Sequence, residues 1–380
     1  MTLPNAAEPM IDCDMHVLEP ADLWTTYLEP RFRDNAIRIQ TDAGGFEQLV
    51  IGGQVVLPRG LAGLGGVELN RAELFAGTKT YAEGCPAASY DPAARIRLQD
   101  DWGVPVGVTF PTISILPFPD NDQPLASAYC RAYNTWVAEF AQSASGRVAP
   151  IATVNWRDID DASTELARCL KLGFRGLFVP PETIDGKSPS HPDFDPLWNQ
   201  LTDTDLPGCL HVIVRFSGAA SPFAEWRAAT PMPGPLFGFG LGATGQIMPA
   251  LAAMITDGFF DRHPKIKLVS VEAGCGYAAY LMDRLDEKWN VMSALGAPLK
   301  LKPSEYVSRN CYFVAEPDER TINAMLDLVG EDNIVWGSDY PHIDANILAP
   351  KIIRQTVATL TPERRTRVLR TNAQRLFRLA

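Results

Sequence analysis

Eight short apolar runs, bounded by turn residues and separated by stretches of helical period, constrain the fold of this chain more than any other feature. They cover residues 9–17, 105–110, 148–155, 174–179, 208–214, 266–272, 311–315 and 334–337. Helical periodicity marks 123–142, 158–172 (opening on the Asp158 cap), 247–262 and 277–289, with a short helix around Ala324. A final helix over 362–379 has Thr361 as N-cap and Pro362 at its first position. Buried strands alternating with helices predict an α/β chain, specifically a (β/α)8 TIM barrel. An open doubly wound sheet would want a glycine-rich phosphate turn after the first strand, where this chain has Asp14-Met15-His16. The expectation is one domain over 1–380, with a long insertion (34–95) after strand one that contains a hairpin in FEQLVIGGQVVLP. A long loop over 215–245 follows strand five. Its aromatic residues Phe216, Phe223, Trp226, Phe237 and Phe239 serve either to line a pocket or to pack the loop.

Composition removes several function classes. With 46% hydrophobic and 21% charged residues the chain is globular. A net charge of −11 repels phosphate backbones and argues against nucleic acid. Seven cysteines without a CxxC pair read as reduced, buried thiols. The first residues lack a basic and an apolar signal region, and apolar stretches such as 247–255 fall short of the roughly 20 residues of a span. The expectation is a cytoplasmic protein with no membrane partner. Arg364, Arg365, Arg367 and Arg370 read as a solvated face.

Catalytic groups of a β/α barrel project from the C-terminal ends of its strands. Strand one ends in Asp14 and His16, two apart and so on one face. Strand five carries His211, strand six ends at Glu272, and strand eight leads to Asp339. These side chains come from four strands and can hold a metal, so they read as one convergent cluster. Glu19 lies within loop reach of the same rim, although it precedes Pro20 and could equally start a helix at PADLW. His342 is either a third imidazole or a group that orients Asp339. Arg215 is either a partner for a substrate carboxylate or a salt-bridge residue. His191 and His263 precede prolines and read as surface turns.

At these residues the chain resembles the amidohydrolase superfamily, in its decarboxylase-like branch (amidohydrolase 2). The resemblance runs nearly end to end through IDCDMHVLEP, DPAARIRLQDDWGV, GFRGLFVPP, KLVSVEAGCGY and WGSDYPHID. It implies that Asp14 and His16 stand where the family has an HxH pair, His211 at the strand-five ligand, and Asp339 at the strand-eight aspartate. Two positions depart from the usual pattern: HxH has become DxH, and Glu272 stands where a histidine is usual. A DxH subgroup on the same barrel resembles non-haem di-iron monooxygenases of terpenoid biosynthesis.

Ligand arithmetic leans the same way. Asp14, Glu19, Glu272 and Asp339 with His16 and His211 crowd four carboxylates around one ion, and buried excess negative charge is costly. A second cation removes that problem, and oxygen-rich ligation suits iron or manganese. The leading expectation is therefore a non-haem di-iron monooxygenase that hydroxylates a bulky apolar acid or thioester with O2, using two irons and an external electron donor. Glu272 would bridge the metals, with Asp339 beside it. The alternative is a metal-dependent hydrolase or non-oxidative decarboxylase of a carboxylated small molecule, using one zinc or manganese. A degenerate, binding-only barrel is the third reading, and the competent ligands at every position oppose it. Members of this branch are commonly dimeric, so a homodimer is expected.

Overall fold

The computed structural model describes residues 8–116, 122–213, 235–295 and 299–380. In chain order the strands are β1 (Ile11–His16), β2 (Arg38–Thr41), β3 (Glu47–Ile51), β4 (Gln54–Leu57), β5 (Val106–Phe110), β6 (Val148–Pro150), β7 (Leu177–Val179), β8 (Gly208–His211), β9 (Leu268–Val271), β10 (Cys311–Ala315) and β11 (Ile334–Trp336). The eight expected strands correspond to β1 and β5–β11, all but β10 shorter than expected. They pair in parallel within two sheets, ordered β1-β5-β6 and β11-β10-β9-β8-β7. Single parallel bridges cross between the sheets, Ala152 to Leu177 and Met15 to Tyr340.

Branched and small side chains fill the space between the parallel strands, among them Ile11, Val108, Ile151, Val269 and Val335. Leu376 and Phe377 of the terminal helix Asn372–Phe377 insert among them. A larger outer core buries the inner faces of helices such as Gln123–Ser143 and Ile159–Lys171. The helix Ile159–Lys171 begins as expected, with the Asp158 carboxylate accepting the Asp161 N–H.

Between β1 and β5 the antiparallel strands β2-β3-β4 form a separate sheet. Gly52 and Gly53 turn β3 into β4 with φ of 55° and 77°, the left-handed pair that a two-residue hairpin requires. β2 was not expected, because its burial is slight and no alternation announces it.

Two expectations need correction. Of the loop over 215–245, residues 215–234 lie outside the described residues, including Arg215, Phe216, Phe223 and Trp226, but the rest is helical. One helix runs over Pro235–Thr256, and a second, Phe259–Arg262, follows Gly258 at φ 81°. Glycines at 238, 240, 242 and 245 obscure the helical pattern. Packing of Ile247, Leu251, Met254 and Ile255 into the core anchors the helix against their low propensity. The same helix overturns the expectation about apolar length, since Leu236–Thr256 is long and apolar enough to cross a membrane.

Close packing at one glycine ties the fold to the strand ends. A Cβ on Gly337, just beyond β11, would collide with the Asp14 Cβ and lie 2.8 Å from Val314 Cγ1. Gly337→Ala is expected to lower stability by about 1–3 kcal/mol, read as an earlier urea midpoint at unchanged slope. An unchanged midpoint would contradict this packing.

Candidate active site

The end of β1 is irregular. Its register against β5 shifts between Asp12 and Met15, and a buried carboxylate holds the shift in place. Asp12 Oδ1 accepts the backbone N–H of Asp14 (3.1 Å) and of Ser338 (3.0 Å), and burial pushes its carboxyl up to about 7. The fully buried Arg95 donates to the Ala88 carbonyl (2.6 Å) and to the His16 carbonyl.

Two imidazoles are oriented by main-chain acceptors. His16 Nδ1 donates to the Pro111 carbonyl (2.7 Å) and His211 Nδ1 to the Val212 carbonyl (2.8 Å). With both Nδ1 protons committed, each Nε2 presents a lone pair. Those two Nε2 atoms lie 3.3 Å apart. Asp14 Oδ1 sits 3.3 Å from the first and 3.6 Å from the second. This oxygen is buried and has no hydrogen bond. Asp339 Oδ1 approaches His16 Nε2 at 3.4 Å.

Three acceptor atoms, Asp14 Oδ1, His16 Nε2 and His211 Nε2, thus converge with no proton among them, an arrangement that a cation stabilises, and Asp339 Oδ1, which also pairs with His342, flanks them at His16. Atoms about 2.1 Å from one ion in tetrahedral or octahedral geometry stand roughly 3.0–3.4 Å apart, so the residues fit a divalent metal.

A second group of carboxylates faces the cavity. Ligand atoms of Glu272, Asp339 and Asp344 lie within 4.8 Å of one another, and Glu272 Oε2 is 3.7 Å from His211 Nδ1. Glu272 and Asp339 adopt left-handed backbones, with φ of 61° and 56°. Such strain costs on the order of 1–2 kcal/mol per residue and gathers at functional sites. Burial, then repulsion from Asp344, Asp14 and Glu316, drives the Glu272 carboxyl well above its ordinary value. Asp339 rises through burial and its acidic neighbours, Glu272 first. His342 spans Asp339 Oδ1 (2.7 Å) and Thr112 Oγ1 (3.0 Å), with its ring 3.9 Å from that of His16. These groups open onto a cavity of about 1110 Å³, whose apolar lining includes Leu116, Ile213 and Phe239.

Glu19 does not join the convergent atoms. Its buried carboxylate accepts the N–H groups of Thr112 (3.3 Å), Ile113 (2.8 Å) and Ser114 (3.0 Å), stitching the loop after β1 to the loop after β5. His191 caps the turn Pro192–Phe194, and His263 is buried against Asp195 at 2.8 Å rather than lying on the surface. Sequence reasoning missed Glu316 and Asp344, both in the cavity wall. Glu316 follows directly on β10, the same strand-end signal that marked Glu272, and burial with neighbouring acids pushes its carboxyl up to about 8.

The amidohydrolase family model matches residues 11–379, and the chain belongs to that family, in its decarboxylase-like branch. It is 27% identical over 303 residues to a γ-resorcylate decarboxylase of Rhizobium radiobacter, covering 75% of this chain and 86% of that one. An amidohydrolase from Mycobacterium avium subsp. paratuberculosis shares its fold, with a TM-score of 0.77 and 23% identity over 98% of this chain and 99% of the other. A 5-carboxyvanillate decarboxylase from Novosphingobium aromaticivorans, solved with bound manganese, gives a TM-score of 0.71 at 20% identity, covering 100% and 98%.

These relatives overturn the monooxygenase expectation, since curated relatives are γ-resorcylate decarboxylases and a solved neighbour that holds manganese is a 5-carboxyvanillate decarboxylase. The site removes part of the original reason as well. With Glu19 engaged by backbone donors, the carboxylate count that called for a second ion falls, and nothing supports two irons or an electron donor.

Glu19→Gln would set an amide NH2 where one carboxylate oxygen now accepts from two of the three backbone donors. It is expected to cost about 1–3 kcal/mol of stability while leaving bound manganese per chain unchanged, measured by denaturant unfolding and elemental analysis. Loss of the metal at unchanged stability would return Glu19 to the ligand set.

Proposed function

We propose that this chain is a metal-dependent, non-oxidative decarboxylase of an aromatic carboxylic acid. The observation that carries the reading is the convergence of Asp14 Oδ1, His16 Nε2 and His211 Nε2, three acceptors that lack a proton between them, with Asp339 Oδ1 beside His16. We further infer that the eight parallel strands close into a (β/α)8 barrel within one domain, a reading that the two inter-sheet bridges support. Asp14, His16, His211 and Asp339 would hold one divalent ion, with manganese the choice that the relatives favour. When bound, such an ion supplies Lewis-acid charge that anchors and polarises the substrate carboxylate.

That charge has a specific task here. Among the described residues lining the cavity there is no lysine or arginine, while Glu182, Glu272, Glu316, Asp318, Glu319 and Asp344 are acidic. An anionic substrate entering this cavity meets no positive side chain there, and the one positive charge on offer would be the ion at the metal ligands. On this reading the carboxylate would point toward β1 and β8 and the rest of the molecule toward the apolar wall.

Glu272 then acts as the proton donor. Burial and its acidic neighbours push its carboxyl well above its ordinary value, toward the protonated form, and its strained backbone carries it at the end of β9 beside His211. The proton moves from the Glu272 carboxyl to the ring carbon bearing the carboxylate, and a C–H bond forms. The C–C bond breaks, CO2 leaves, and its bonding pair restores the ring. Solvent reprotonates Glu272. No oxidant or reductant enters the balance. His342 holds Asp339 through Nδ1 and fixes its orientation toward His16.

The test is isotopic CO2 release from γ-resorcylate, 5-carboxyvanillate and a panel of hydroxylated aromatic acids, with the manganese-loaded protein in D2O. The reading expects CO2 with one deuterium per product at the former carboxyl position. Glu272→Gln is expected to keep the metal and lose about 100-fold or more in kcat. His211→Ala is expected to lose the metal and the activity together. No CO2 from any acid in the panel, or turnover that requires O2, would overturn the proposal.

A further inference from the structure

Glu319 lies in the loop after β10, and its side chain reaches across to the loop after β9. Oε1 accepts the N–H of Gly276 (2.6 Å) and the hydroxyl of Thr321 (2.7 Å). The Cys275 N–H is shared between Oε1 (3.1 Å) and Oε2 (2.9 Å), and Oε2 also accepts the N–H of Glu316 (3.3 Å). Although it borders the cavity, this carboxylate is occupied by donors on both sides and is poorly placed to accept a proton from substrate.

What those donors belong to gives Glu319 a role. Cys275 and Gly276 close the short turn that begins at Glu272, in which Glu272 and Gly274 both have left-handed backbones, at φ 61° and 65°. The glycines let the carboxylate come close: a Cβ on Gly274 would stand 3.1 Å from Oε2, and one on Gly276 would stand 3.0 Å from Oε1. Glu316, on the other side, is the pocket carboxylate at the end of β10. None of these hydrogen bonds touches β1, β8 or the residues after β11, where the convergent acceptors sit.

We propose that Glu319 is a positioning residue that clamps the β9 and β10 loops together and so holds Glu272 and Glu316 at the cavity wall, without contributing to the metal ligands. Its effect on turnover rests on the assignment of Glu272 as proton donor; its hold on the two loops does not. Loss of the clamp lets the 272–276 turn relax from its left-handed backbone, and a displacement of the donor by about 1 Å is enough to cost on the order of 100-fold in rate.

The experiment compares Glu319→Ala and Glu319→Gln with the parent protein, alone and in a Glu272→Gln background, all loaded with manganese. Three quantities are read: amide hydrogen exchange by mass spectrometry, manganese per chain, and kcat with an aromatic acid that the parent turns over. Both variants are expected to exchange about tenfold faster over 272–276 and 316–321, with β1 and β8 unchanged and the metal retained. In the parent background kcat falls by about 10- to 100-fold. In the Glu272→Gln background neither substitution lowers it further, because two residues acting through one group are not additive. Should Glu319→Ala fail to fold, Glu319→Gln, which keeps one acceptor oxygen, carries the same readings at smaller amplitude. Unchanged exchange over 272–276, or metal lost along with the clamp, overturns the proposal. A full further loss in the Glu272→Gln background overturns the route through Glu272. Parent-like turnover by Glu272→Gln alone removes the donor assignment instead, and the exchange and metal readings still decide whether Glu319 is the clamp.

Discussion

Two imidazole nitrogens and a carboxylate oxygen, all acceptors, are packed within 3.3–3.6 Å of one another below the protein surface. Main-chain carbonyls have taken the only protons that could have relieved them. Left alone, that contact is repulsive, and the surrounding structure is organised to enforce it. Asp12 pins the backbone of Asp14 to that of Ser338, Arg95 ties down the His16 carbonyl, and Gly337 leaves only the room that Asp14 occupies. A fold that maintains such a contact gains from a cation.

Buried and half-buried carboxylates at this rim divide by what they face. Asp12, Glu19 and Glu319 accept backbone N–H groups from neighbouring strand ends and act as stitches: β1 to the residues after β11, β1 to β5, and β9 to β10. Glu272 faces its acidic neighbours and the open cavity, and Asp14 faces lone pairs. The first set satisfies its charge locally and shapes the site. The second set is left to interact with whatever enters, whether a metal ion or a substrate in need of a proton.

That division explains which parts of the molecule could be read from sequence. The eight parallel strands were legible because burial on both faces leaves continuous apolar runs, and Asp14, His16, His211, Glu272 and Asp339 were legible because each interrupts or ends such a run. Glu19 looked like a ligand because its donors, at Thr112 to Ser114, lie more than ninety residues away along the chain. Counting it among the ligands inflated the carboxylate total and led toward a two-ion oxygenase that the relatives contradict. Glu316 could have been found by applying the strand-end criterion evenly. Glu319 could not, since its role exists only in the contact between two loops.

The account stands on one divalent ion held by two imidazoles and two carboxylates. Titrating the metal-free protein with Mn(II) while recording electron-nuclear double resonance tests it directly. One tightly bound ion per chain, coupled to two nitrogen nuclei that vanish one at a time in His16→Ala and His211→Ala, is the predicted result. Two equivalent ions per chain, or an ion without nitrogen coupling, would contradict it.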